Sequence, residues 1–230
     1  MDTNTSIALN VSRARLTVIG FMLTIDIFAL GIFLSKVDQH VSLQILTGLS
    51  VFYALVAGLC VGTLAAILML ISERFDPLGN SDVCLFAFAE MTMFVAIVQT
   101  ISGISRGIIV LFHANLAEPA VNALGALSAS ADLLTAGEAF RNLIFWLIAL
   151  TWIFLAYVAP LWSLSRLPVT RHQKYLFAGY YLLLSCAVFA LAAHALHIEL
   201  LARGQSTGVM QLFLQNFWAP SLWGDLPEAV

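Results

Sequence analysis

Asp26 and Glu90 are the residues best placed to do chemistry, because each puts a carboxyl group inside a run of side chains that prefer hydrocarbon. Asp26 stands in Leu23-Thr-Ile-Asp-Ile-Phe28 and Glu90 in Phe86-Ala-Phe-Ala-Glu-Met91. A charge at mid-bilayer costs about 3 kcal/mol on insertion scales, so such an acid must face protein or water, or keep its proton. Acids placed this way can line a cation path or relay protons. The structural alternative is a neutral or hydrogen-bonded carboxyl that ties helices together through Thr24, Thr92 or Tyr53.

Arg106 is the third intramembrane candidate. A guanidinium does not lose its proton in a protein, so below the interface it needs a carboxylate, for which Glu138 and Glu199 are available, or it attracts an anion. If its helix ends near Ser105, the side chain instead runs along apolar surface and puts its head in water. His113, Glu138, Arg141, His194, His197 and Glu199 fall on the same side as Arg106 once the helix directions are assigned, and form a polar cluster there.

His194 and His197 share a helix face, a spacing that offers two imidazoles to a metal. The pair alone reads better as histidines satisfying Arg or carboxylate neighbours. Bis-histidine haem ligation needs facing helices at matched depth, and only His113, near a helix end, lies on another helix. We therefore expect neither metal nor cofactor.

Gly103-Ile-Ser105-Arg-Gly107 matches the Gly-x-Ser-x-Gly pattern of a nucleophile elbow, which has meaning only at a strand-to-helix turn. Here the serine sits in an apolar helical run, where its hydroxyl bonds the carbonyl one turn back. No enzymatic activity is expected. The same glycines suit close packing, as do Ala54, Gly58, Gly62 and Ala66, which recur every four residues on one helix face. Small residues let backbones approach where lipid gives little hydrophobic drive. The stripe therefore belongs against protein, within one subunit or between two.

The elements that position these groups follow from composition. Of 230 residues 61% are hydrophobic and 10% charged, and mean hydropathy is +0.95; a soluble domain carries about 25% charged residues. Five apolar segments emerge: Leu16 to Ser35, Leu43 to Ser72, Val83 to Phe112, Leu143 to Ser165 and Tyr175 to Ala202. Each is long enough to cross roughly 30 Å of hydrocarbon. The first continues from Leu16 to Leu34 without a small-x-small cleavage site, so it reads as a retained helix and not a signal peptide.

Short polar links join antiparallel neighbours, except from His113 to Glu138, where an Ala/Leu-rich stretch with Pro119, Gly125 and Gly137 predicts one or two short surface helices. The tail over 205–223 is too short to span. Its segment Val209 to Trp218, with Trp218 and Trp223, suits the headgroup zone. The expected fold is all-α: a single polytopic transmembrane bundle of about five spans, a surface helix between spans three and four, and an interfacial C-terminal helix.

With the N-terminus inside, Arg13, Arg15, Arg74, Arg166, Arg171 and Lys174 lie inside, against Lys36 and Arg203 outside. This asymmetry predicts a multi-pass protein of an inner or plasma membrane with its N-terminus cytoplasmic and its C-terminus outside. A net charge of −3 with scattered basic residues excludes a phosphate-neutralising patch for nucleic acid. Cys60, Cys84 and Cys186 lie in apolar runs at no metal-ligand spacing and read as small buried hydrophobes.

Together these features predict an oligomeric channel or pore-like membrane protein whose partners are the lipid bilayer and copies of itself. The alternative is a non-catalytic membrane subunit, an anchor or membrane-disturbance sensor bound to another protein. Secondary transport ranks below both, since five unequal spans show no internal repeat.

Overall fold

The computed structural model describes the backbone of residues 3–37, 48–74, 83–112, 143, 146–202, 204, 205 and 207–218; side chains are described over 11–35, 48–72 and 83–107, and in the later segments as far as 214. Every described element is a helix: α1 (Thr3–Val37), α2 (Leu49–Arg74), α3 (Val83–Phe112), α4 (Trp146–Arg166), α5 (Arg171–Ala202) and the short α6 (Val209–Trp218). The first five are long and apolar enough to cross a membrane, and the chain is a five-span helical membrane protein.

The surface helix expected between the third and fourth spans, the start of the second span at Leu43, and Trp223 lie outside the described residues. Two helices begin earlier than hydropathy suggests. α1 starts at Thr3 instead of Leu16, since no Gly or Pro interrupts the polar turns before Leu16. α5 starts at Arg171 instead of Tyr175 because Thr170 and Gln173 cap each other. The Thr170 hydroxyl accepts the Gln173 N–H at 3.4 Å, and Gln173 Oε1 accepts the Thr170 N–H at 2.9 Å, which satisfies two otherwise orphaned donors.

α3 is the hub. In its most apolar stretch 67% of residues are buried, against 17% in α1, which is peripheral. Ile19 of α1, Ala65 of α2, Met91 and Phe94 of α3, Leu164 of α4 and Phe177 of α5 meet in one core. A second cluster joins Val98, Trp152, Ala156 and Phe189, with Phe213 of α6 against it. The outward faces carry Phe21, Phe28 and Leu183, each about 70% exposed, which is where acyl chains belong.

Two local devices shape the bundle. Pro160 has no N–H to give the Ala156 carbonyl one turn back, and its ring crowds that carbonyl. α4 responds with a π-helical turn at Phe154–Val158, and the Tyr181 hydroxyl of α5 donates to the Ala156 carbonyl at 2.6 Å. The far end of α5 closes at Gly204, whose φ of 77° is open to glycine at little cost. The Gly204 and Gln205 N–H groups return to the Leu201 and Leu200 carbonyls at 3.0 and 2.9 Å, reversing the chain towards α6.

Candidate intramembrane acid site

The buried face of α1 runs through Ser12, Arg15, Ile19, Met22 and Asp26, at steps of three and four residues. A helix advances 100° per residue, so these positions form one stripe, and it lies against α2 and α3. Half-buried Leu23, against the core, and Phe33, beside Phe52, widen this attachment, while residues such as Phe21 and Phe28 face outward.

Asp26 is 0% exposed. The Thr100 hydroxyl of α3 lies 2.8 Å from its Oδ2 and donates to it. The same hydroxyl is 3.1 Å from the Ala96 carbonyl, yet it has a single proton. Asp26 Oδ1 has no hydrogen-bond partner among the described residues. Gly58 of α2 completes the junction. A Cβ there would stand 2.8 Å from Thr100 Oγ1 and 2.9 Å from Asp26 Oδ2, inside van der Waals contact, so the acid fits only because residue 58 has no side chain. One turn on, a Cβ at Gly62 would meet the end of Met22.

Glu90 is 3% exposed and fully engaged. Arg15 Nη2 lies 2.7 Å from its Oε1, and the Ser163 hydroxyl of α4 donates to its Oε2 at 2.5 Å. Its partners therefore differ from the residues expected. Thr92 instead bonds the Phe88 carbonyl at 2.7 Å and meets the Tyr180 hydroxyl at 2.8 Å; Tyr53 donates to the Val188 carbonyl at 3.2 Å; Thr24 donates to the Gly20 carbonyl on its own helix at 2.8 Å. Tyr53 and Thr92 thus tie α2 and α3 to α5, while Thr24 stays on its own helix.

At the opposite end, Glu199 of α5 is buried, and its Oε2 accepts the Ser50 N–H in the first turn of α2 at 3.1 Å. A carboxylate there meets unsatisfied N–H groups and the positive end of the helix dipole. Half-buried Arg106 of α3 lies within electrostatic reach of the same carboxylate. The expected outer cluster is thus partly assembled: Arg106 and Glu199 come together, while His194 is exposed and half-buried His197 places Nδ1 2.7 Å from the Thr207 carbonyl. The two histidines share a face but differ in surroundings, His194 being exposed and His197 engaged with the Thr207 carbonyl. His113, Glu138 and Arg141 lie outside the described residues.

The small-residue stripe packs within the subunit. Ala54, Gly58 and Gly62 are buried and Ala66 is half-buried, Gly103 receives Leu55, and Gly107 lies beside Val51, so α2 and α3 approach closely along their length. Ser105 is buried and donates to the Ile101 carbonyl at 2.5 Å, so the Gly-x-Ser-x-Gly serine is spent on its own helix. Among the described residues no group of three or more His, Cys, Asp or Glu side chains is arranged to hold a metal ion.

Arg15, Thr100 and Ser163 went unread as site residues. One signal was available for Arg15: it lies eleven positions before Asp26, close to three helical turns, hence on the same face. Fold and site together define a polytopic helical membrane protein that buries acids at separate depths. No family model, curated protein or solved structure matches the chain.

Proposed function

We propose that this protein conducts protons across the bilayer in a channel-like manner, with Asp26 as the group that takes up and releases the proton. The observation that carries this reading is the contrast in partners: Asp26 is fully buried yet, among the described residues, has one hydroxyl and no countercharge, and one of its oxygens is unpartnered.

The hydroxyl geometry supports both charge states. With the proton on Asp26, the acid donates to Thr100 Oγ1 and Thr100 donates to the Ala96 carbonyl. With the proton gone, Thr100 turns its hydrogen to the carboxylate and leaves Ala96 to its helical N–H partner. A metal cation fits less well, because a dehydrated divalent ion takes about six oxygen ligands, and among the described residues the oxygens shown at this junction are those of Asp26, Thr100 and the Ala96 carbonyl.

The path runs within one subunit, since Asp26 faces α2 and α3, not the lipid. A pore lined by Asp26 between copies does not suit this placement, and self-association, if present, is separate from the proton step. The spent hydroxyl of Ser105 supports a non-enzymatic role. The six-to-two excess of basic residues supports a cytoplasmic location for the end that carries Arg15 and Arg166.

The test is proton flux into liposomes that enclose a pH-sensitive dye, driven by a potassium diffusion potential. Wild type should acidify the lumen and Asp26→Asn should lose at least about 90% of that flux, in line with the tenfold or greater loss that follows removal of a proton-transfer group. Glu90→Gln should retain most of it. Proton-tight liposomes containing folded wild-type protein would overturn the reading and favour a non-catalytic membrane subunit.

A further inference from the structure

A second site lies on the hairpin that joins α4 to α5. We infer that it binds the headgroup of an anionic phospholipid in the leaflet at the Arg15 end of the bundle.

The hairpin is cationic and has no acid of its own. No Asp or Glu occurs between Glu138 and Glu199, whereas Arg166, Arg171 and Lys174 fall within nine residues at the turn. Lys174 Nζ donates one of its three protons to the Ser165 carbonyl at 2.8 Å, which brings the start of α5 against the end of α4. Arg166 and Arg171 are both exposed. Among the described residues the acid in contact with α4 is Glu90, held by Ser163, and Arg15 pairs with it.

The same surface is apolar one turn deeper. The Arg166 guanidinium lies 4.8 Å from the centroid of the Trp162 ring, and Leu161, Trp162, Tyr175 and Leu176 are each at least half exposed. Cations above a lipid-facing aromatic and aliphatic patch match a ligand with a phosphate at one end and acyl chains at the other. A free phosphate would use only the upper half. Arg–phosphate pairs are charge-assisted and often bidentate, and each basic side chain near a membrane surface adds to the attraction for anionic lipid.

Native mass spectrometry of the full chain, released from micelles doped with equal amounts of phosphatidylglycerol and phosphatidylcholine, reads this directly. Wild type should retain phosphatidylglycerol about tenfold over phosphatidylcholine, and R166Q/R171Q/K174Q should lose the preference. Arg203→Gln, which removes a cation at the other end of α5, should keep it. Equal retention of the two lipids by wild type, a preference that survives in the triple variant, or equal loss in Arg203→Gln would each overturn the site. Displacement of the bound lipid by millimolar glycerol 3-phosphate would overturn the lipid assignment in favour of phosphate alone. If the triple variant loses its helical circular dichroism, Arg166→Gln and Arg171→Gln taken singly carry the same test, each expected to lower the preference about threefold.

Discussion

Glu90 and Asp26 are both buried carboxyl groups that receive a partner across a helix seam, yet their surroundings divide them. Glu90 has a guanidinium on one oxygen and a hydroxyl on the other. Asp26 has a hydroxyl on one oxygen and, among the described residues, no partner on the other. Burial alone disfavours a carboxylate, and a guanidinium beside it offsets that cost; the proposed proton role of Asp26 rests on this difference in countercharge.

The sharpest break in this contrast is Arg15→Met, which strands Glu90 without its cation. Breaking a buried pair costs about 3–5 kcal/mol; Arg15 is 36% exposed, so water offsets part of this and a loss of about 2–3 kcal/mol is expected. Thermal unfolding in detergent micelles checks it. The double change Arg15→Met with Glu90→Met should recover most of the loss, since replacing both partners by apolar groups is often near neutral. A double variant no better than the single would show that the pair does not act as a unit.

Next in size is Gly58→Ala. The new methyl meets Thr100 Oγ1, Asp26 Oδ2 and the Thr100 backbone N at 2.8, 2.9 and 3.2 Å, and overpacking of this kind costs about 1–3 kcal/mol. Gly62→Ala meets the flexible end of Met22 and should cost less than about 1 kcal/mol. The same unfolding assay ranks the two. Equal effects would mean that the Asp26 junction yields as easily as a methionine tip.

The smallest effect separates structure from function. Thr100→Val removes the hydrogen bond to Asp26, and such bonds between membrane helices average about 0.6 kcal/mol. We expect that modest loss in stability together with a change in the pH dependence of flux, because the hydroxyl that serves both protonation states is gone. An unchanged pH profile would make Thr100 a packing residue only.

The membrane spans were legible because length and apolarity decide them, and Asp26 stood out because nothing near it in sequence is polar except Thr24. The partners were not legible. Hydropathy is nearly uniform around a lipid-facing helix, so it marks depth but not rotation, and pairing depends on rotation. Arg15 looked like a flanking charge that sets topology, yet its face turns it onto Glu90. Ser163 looked like a residue near the end of a span, and Thr100 lies 74 positions from Asp26. The start of α5 was readable, since Thr170-x-x-Gln173 is a capping box, but hydropathy drew attention to the apolar run four residues later.

Pro160 has a consequence for how α4 and α5 hold together in the membrane. On its own, α4 would reach hydrocarbon with a weakened carbonyl at Ala156, and a polar backbone group left bare in lipid costs several kcal/mol. The remedy sits on the next helix, in the Tyr181 hydroxyl, and only the four residues 167–170 separate the two. α4 and α5 therefore depend on each other for this hydrogen bond, and Tyr181→Phe should lower stability in detergent micelles by about 0.6 kcal/mol, read by thermal unfolding.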